Sequence, residues 1–306
     1  MSLETSVGNL KFRNPLLLAS GVLGTTYSTL QRVYNAGLGA VITKSIGPRR
    51  RIGNPNPSVF ALREIRSVVN SVGLANPGYK VFREDLEILI ENKIPVIISI
   101  FGENKAEFLE VLNGLKDLPA QAIELNLSCP NTAKGGSQIG TDPEMVQDIV
   151  SSLRKETTIP LWAKLTPNVS DILEIADAAR KGGIDAIVAI NTLKAMVIDI
   201  QTKMPILGFK RGGLSGAAIK PIGIRYVYDL YEQLGNKVPI VGVGGILRGD
   251  DVIEYILAGA SAVEIGSALG VAYPENIVKF IQMRIQKYMK ANQIASITEI
   301  TGGAHQ

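Results

Sequence analysis

One cysteine, Cys129, and one histidine, His305, are all the chain has of two residue types that much metal and nucleophilic chemistry needs. A single cysteine excludes an internal disulfide and any cysteine-ligated metal or iron–sulfur cluster built by this chain alone. His305 stands next to last, so neither a histidine base nor a histidine metal site is expected. No apolar run approaches the ~20 residues that cross a bilayer. The opening Met1-Ser2-Leu3-Glu4 lacks the basic-then-apolar order of a signal peptide, and a cytoplasmic protein is expected. Charge of one sign is also missing: the net charge is +4, with Lys/Arg and Asp/Glu interspersed. That disfavours a nucleic-acid partner and fits a small anionic ligand better.

What is present is apolar residues, 46% of 306, against 20% charged, enough for a sizeable core in one large or two small domains. Near-continuous apolar runs read as strands buried on both faces: Leu16–Ala19, Ala40–Thr43, Pro95–Ile100, Ala122–Asn126, Leu161–Leu165, Ala186–Ile190, Ile240–Val243 and Ala262–Ile265. Between and after them lie amphipathic segments, Lys105–Leu115, Pro143–Lys155, Ser170–Lys181, Ile222–Leu234, Asp250–Ala258 and Ile277–Lys290. Asp142-Pro143 reads as a cap followed by proline in the first turn. A short hairpin around Gly8-Asn9 precedes the first run. Strand–helix units repeated over this length predict a (β/α)8 barrel spanning residues 1–306 as one domain. A doubly wound open sheet is the alternative, but no compositional break marks a second domain.

Two connections, Lys44 to Tyr79 and Asn191 to Ala217, are too long for turns. They leave strand ends on the face where barrels carry their chemistry, and their apolar anchors predict ordered lids over the site. Cys129 sits in Glu124-Leu-Asn126-Leu-Ser-Cys129-Pro-Asn131, where an apolar strand opens into a polar loop. A lone cysteine is often a small buried hydrophobe; Ser, Pro and Asn neighbours argue against that here. A thiol of ordinary pKa, about 8.5, can give and take a proton, and Asn126 and Asn131 suit a planar polar ligand with mixed edges. Gly212-Gly213-Leu214-Ser215-Gly216, Gly242–Gly245 and Gly266-Ser267 come at strand ends. The last two follow neighbouring strands, where barrels commonly hold a phosphate, so a phosphorylated cofactor such as flavin mononucleotide fits. Lys44 and Lys164 lie at strand ends, where an ammonium offsets developing negative charge. Arg49-Arg50-Arg51 reads as a solvated run or a partner contact.

Together these residues resemble the class 1 dihydroorotate dehydrogenases, FMN enzymes of pyrimidine synthesis, over almost the whole chain. Asn126-Leu-Ser-Cys129-Pro-Asn131 is similar to their catalytic loop. Lys44-Ser45 with Gly53–Pro57, and Asn70-Ser-Val-Gly73-Leu74-Ala-Asn-Pro-Gly78, resemble their orotate-binding segments. Asn191-Thr192-Leu193, Gly212–Gly216, Gly244-Gly245, Ala258–Ala262 and Gly266-Ser267 match later motifs, and Lys134-Gly-Gly136 leading into Gly140–Glu144 looks like the class 1B branch.

The resemblance implies oxidation of dihydroorotate to orotate. Cys129 would take a proton from C5 while the C6 hydride passes to flavin N5. Asn70, Val72, Gly73, Leu74, Asn126, Asn131, Asn191 and Thr192 would hold the pyrimidine, and Lys44 would face its carboxylate and the flavin. Ala19, Ser20, Ser45, Ser99, Asn126, Ile190, Gly216, Gly244, Gly245, Gly266 and Ser267 would bind FMN, with Lys164 supporting the reduced ring. In class 1B the chain works with a second subunit carrying FAD and a 2Fe–2S cluster, with NAD+ as acceptor; a homodimer within a heterotetramer is implied. Ser99, where the family often has Asn, Val72, where Met or Ile is more familiar, and Gly21–Thr26 depart from the pattern. Two alternatives stay open: a pyrimidine-base dehydrogenase, whose substrate lacks a carboxylate, and a silent FMN-binding subunit.

Overall fold

Apolar runs without alternation become parallel strands because a barrel covers both strand faces. The computed structural model describes residues 1–128 and 139–306. Strands β1 (Thr5–Val7) and β2 (Leu10–Phe12) form the antiparallel hairpin expected around Gly8-Asn9. Then come β3 (Leu16–Leu18), α1 (Tyr27–Asn35) and β4 (Ala40–Ile42). The first long connection carries β5 (Val59–Leu62) and β6 (Ser67–Asn70), ahead of α2 (Tyr79–Glu91). Next are β7 (Val96–Ile100), α3 (Lys105–Asn113), β8 (Ala122–Asn126), α4 (Pro143–Glu156), β9 (Leu161–Lys164), α5 (Ile172–Gly182) and β10 (Ala186–Ala189). The second long connection holds β11 (Leu193–Ala195), β12 (Ile198–Asp199), β13 (Met204–Pro205) and β14 (Gly212–Gly216), and α6 (Lys220–Leu234) follows. β15 (Ile240–Val243), α7 (Gly249–Leu257), β16 (Ala260–Ile265), α8 (Ser267–Val271) and α9 (Pro274–Ala291) complete the series.

Among the described residues, eight parallel strands close a barrel in the order β3-β4-β7-β8-β9-β10-β15-β16. This is the (β/α)8 architecture, not the open sheet. The expected run Ala262–Ile265 begins two residues earlier, at Ala260, and the last amphipathic segment extends to Pro274–Ala291. The Asp142 cap forms as expected, its carboxylate accepting from the N–H groups of Glu144 and Met145 at 3.0 and 3.2 Å.

Alternate strand residues point into the barrel. Leu17, Ala40, Ile97, Ala122, Trp162, Val188 and Ala262 fill its lower interior, and the hairpin seals that end. Phe12 of β2 meets fully buried Trp162 edge-on, with ring centroids 6.4 Å apart. Burying such a side chain contributes about 1.5–3 kcal/mol. Two residues further along, the inward positions turn polar: Ile97 gives way to Ser99, Ala122 to Glu124, Trp162 to Lys164 and Ala262 to Glu264, all buried. An apolar floor thus carries a polar layer facing the strands' C-terminal ends.

The two long connections are ordered, and they form one sheet. β5 and β6 of the first connection pair with β14 and β11 of the second in an antiparallel order β11-β14-β6-β5. Asn70 is the junction, opposite Val59 on one side and Gly213 on the other. Backbone hydrogen bonds satisfied between the loops remove the need to solvate them.

Candidate active site

A cavity of about 520 Å³ opens at the C-terminal ends of the barrel strands, beneath the antiparallel sheet. Ala19 and Ser20 reach it after β3, Lys44 and Ser45 after β4, and Asn126 from the end of β8. Lys164 ends β9, and Ile190, Asn191 and Thr192 follow β10. From the sheet come Asn70 and Gly216, and from the loop after β6 come Val72, Gly73 and Leu74; Gly244, Gly245, Gly266 and Ser267 close the side after β15 and β16. These residues, widely separated in sequence, thus converge.

Hydrogen bonds tie these strand ends together. Ser45 Oγ lies 3.2 Å from Ser20 Oγ and 3.0 Å from Ser99 Oγ, and accepts from Asn126 Nδ2 at 3.0 Å. Asn126 Oδ1 accepts from the Ser128 N–H at 3.2 Å and from Asn191 Nδ2 at 3.5 Å. Each amide therefore has its orientation set by neighbours before any ligand arrives. Ser99 is fully buried and is absent from the cavity wall; it supports Ser45 from behind.

The glycine side is a backbone cradle. Gly245 has φ +70°, and a Cβ there would stand 2.7 Å from the Gly216 carbonyl oxygen and 2.7 Å from Lys220 Cβ. Tyr255 donates its hydroxyl to the Gly244 carbonyl at 2.8 Å, pinning the turn from the helix side. A left-handed conformation costs a side-chain-bearing residue about 1–2 kcal/mol. Gly245→Ala is therefore expected to lower stability by at least that amount and to weaken anion binding at the turn. Thermal melts with and without ligand check this; an unchanged melting temperature would show that the turn relaxes freely.

Electrostatically the wall is cationic. Lys44, Arg51, Lys164, Lys194 and Arg211 line it, and Glu264 is the one acidic lining residue among those described. Burial holds the Lys44 ammonium below the ordinary lysine range, and no carboxylate pairs with it among the described residues. Lys164 lies on the cavity floor between two buried carboxylates, its Nζ 2.5 Å from Glu264 Oε2 and 3.4 Å from Glu124 Oε2. Burial alone would lower its pKa; the charges of Glu124 and Glu264 outweigh that and raise it. A lysine held this way is a fixed cation under whatever the cavity binds.

Several site residues carried no signal when read along the chain. Arg51 lines the cavity, pairs with Glu103 and stacks 5.2 Å above the Phe101 ring. Of the arginine run, then, only Arg49 and Arg50 are solvated; Arg51 is drawn in by partners about fifty residues away. Asn168 bridges the loop ends, donating to the Thr192 carbonyl and accepting from the Lys194 N–H, both at 2.9 Å. Glu264 was hidden in an apolar run. Cys129, Asn131 and the Lys134-Gly-Gly136 segment lie outside the described residues. Ser128, which precedes Cys129, lines the cavity. Among the described residues no group of acidic, histidine or cysteine side chains could hold a metal ion, and no helix is long and apolar enough to cross a membrane. His305 is remote from the cavity, stacked on Tyr228 with ring centroids 3.8 Å apart.

Comparison with known proteins bears on the chain as a whole. The family model described as dihydroorotate dehydrogenase matches residues 2–289. The chain is 49% identical to a Methanocella arvoryzae protein named dihydroorotate dehydrogenase B (NAD(+)), catalytic subunit, covering 100% of this chain and 99% of that one. Proteins of the same name from Methanosarcina mazei and Methanocaldococcus jannaschii are 46% and 44% identical. Those matches cover 97% and 99% of this chain, and 93% and 98% of the relatives. With barrel, cavity and full-length similarity in agreement, the chain belongs to the dihydroorotate dehydrogenase family.

Proposed function

We propose that this chain oxidises dihydroorotate to orotate in pyrimidine biosynthesis, as a flavin-dependent oxidoreductase using FMN. The observation that carries the reading is one cavity combining a glycine cradle, a ring of asparagine amides and a cationic wall in which Lys44 has no carboxylate partner among the described residues. The cradle suits the phosphate of FMN, because glycine lets backbone N–H groups approach an anion. The amides suit a pyrimidine edge that both donates and accepts. Lys44, without a carboxylate partner, suits a substrate carboxylate, which a plain dihydropyrimidine lacks.

FMN, when bound, supplies the hydride acceptor for C6 of the substrate. Cys129 is the base for the C5 proton in this reading, because Glu264, the one described acidic lining residue, is engaged by Lys164. Asn70, Asn126, Asn131, Asn191 and Thr192 orient the pyrimidine, with Val72, Gly73 and Leu74 along its edge. Lys164 would supply a positive charge toward the flavin ring, to offset negative charge there. Ala19, Ser20, Ser45, Ile190, Gly216, Gly244, Gly245, Gly266 and Ser267 hold FMN, with Ser99 acting through Ser45. Residues 1–306 work as one cytoplasmic domain. Its relatives' name, catalytic subunit of an NAD(+) enzyme, supports a separate partner subunit; in this reading that partner would carry electrons onward through FAD and a 2Fe–2S cluster, and this chain would form a homodimer.

Anaerobic mixing of the FMN-loaded chain with dihydroorotate, followed by flavin absorbance, tests the half-reaction. Rapid bleaching is expected. Bleaching by dihydrouracil instead would point to a pyrimidine-base dehydrogenase, and a chain that takes up no FMN would end the flavin reading.

A further inference from the structure

The cluster Glu124–Lys164–Glu264 holds two carboxylates and one ammonium, with each residue no more than 5% exposed. Two negative charges against one positive leave a net charge of −1 in a nearly dry interior, where an uncompensated charge is costly. The oxygens repeat the imbalance: Glu124 Oε1 and Glu264 Oε1 are both buried without a hydrogen-bond partner. Lys164 satisfies only the Oε2 atoms. One proton on a carboxyl solves both problems, cancelling the excess charge and giving one orphaned oxygen a donor for the other.

The proton belongs to the pair, since Lys164 approaches both carboxyls, at 2.5 Å from Glu264 and 3.4 Å from Glu124. Glu264 lines the cavity; Glu124 does not. The strands flanking Glu264, β3 and β15, bring no charged residue, nor does β1 packed at its base. On α7, Asp251 and Glu254 are paired with Lys220, which leaves Glu124 and Lys164 across the interior and Lys44 at the mouth. Burial, then repulsion from Glu124, hold the Glu264 carboxyl well above the usual carboxylate range against the pull of Lys164.

We propose that Glu124 and Glu264 share one proton in the resting protein, and that this proton lets Lys164 turn to negative charge arriving in the cavity. Without it, moving the ammonium away would leave two adjacent ionised carboxylates in the barrel interior. With it, one carboxylate remains, hydrogen-bonded to a neutral acid. Glu264 is thus a positioning residue acting through Lys164. Its charge-release role rests on the flavin reading, whereas the shared proton does not.

Infrared difference spectra of the full chain as purified, with and without carbon-13 glutamate labelling, read the proton directly. The expected result at neutral pH is a carbonyl band of an un-ionised carboxylic acid, absent from Glu264→Gln. Glu124→Gln should also abolish the band, since Glu264 then ionises against Lys164 alone, so the test survives poor folding of either variant. No such band in the wild type, or a band that persists in both variants, overturns the proposal. Reducing bound FMN should then shift the band as Lys164 leaves Glu264; an unmoved band overturns the charge-release role. Failure to bind FMN overturns the flavin reading and that role with it, while the first spectra still judge the proton.

Discussion

Cys129→Ala is expected to slow reduction of bound FMN by dihydroorotate about 10²–10⁴-fold, the range for losing a general base, while FMN stays bound. The described cavity wall makes this loss hard to replace. It contains no histidine and no aspartate, and its one acidic side chain, Glu264, is engaged with Lys164. Lysines and arginines make up the other charged groups there, residue types that ordinarily carry their proton already. In the proposed reading the thiolate of Cys129, which lies outside the described residues, takes the C5 proton. It requires a cationic or hydrogen-bonding setting to lower its pKa from about 8.5. Wild-type reduction is therefore expected to accelerate as pH rises through the thiol pKa, a limb that Cys129→Ala lacks. Stopped-flow absorbance under anaerobic conditions measures both. Near-normal reduction in the variant would remove Cys129 from the mechanism.

Lys164→Met is expected to destabilise the fold by about 3–5 kcal/mol, the usual effect of removing one partner from a buried ion pair. Methionine fills the space, so the loss is electrostatic: Glu124 and Glu264, both fully buried, are left without their counter-ion. The sign with pH follows from the carboxyls. Burial and Glu124 already raise the Glu264 carboxyl well above the usual range, and without Lys164 nothing opposes that rise. A carboxyl raised on folding supports the fold below its unfolded value, near 4.3, and withdraws that support as pH climbs through the raised value. The variant is thus weakest at neutral to alkaline pH and recovers toward wild type in acid. Denaturant titrations at several pH values, repeated with Lys164→Met/Glu264→Gln, check this. The double variant should regain part of the loss. A pH-independent deficit would assign it to packing instead.

Much of this protein was legible along the chain. Continuous apolar runs marked every barrel strand, and Asp142-Pro143 marked a helix start, because strand burial and capping depend on near neighbours. Gly244-Gly245, Gly266-Ser267, Asn126 and Lys44 stood out because strand ends are where a barrel meets its ligand. Of the cluster beneath them only Lys164, a strand-end lysine, was legible; its pairing with Glu124 and Glu264 was not. Glu124, Lys164 and Glu264 are 40 and 100 residues apart, and each sits in a strand covered on both faces, where hydrophobic periodicity no longer tells inward from outward. Only the closure and stagger of the barrel decide that these three positions share one interior layer. The same holds for Arg51, charged and unremarkable until Glu103 and Phe101 arrive beside it, and for the two long connections, whose order was predictable but whose pairing through Asn70 was not. The chain's local chemistry thus determined the elements and the rim of the site. Its floor and its roof were decided by long-range register, which no short window of sequence contains.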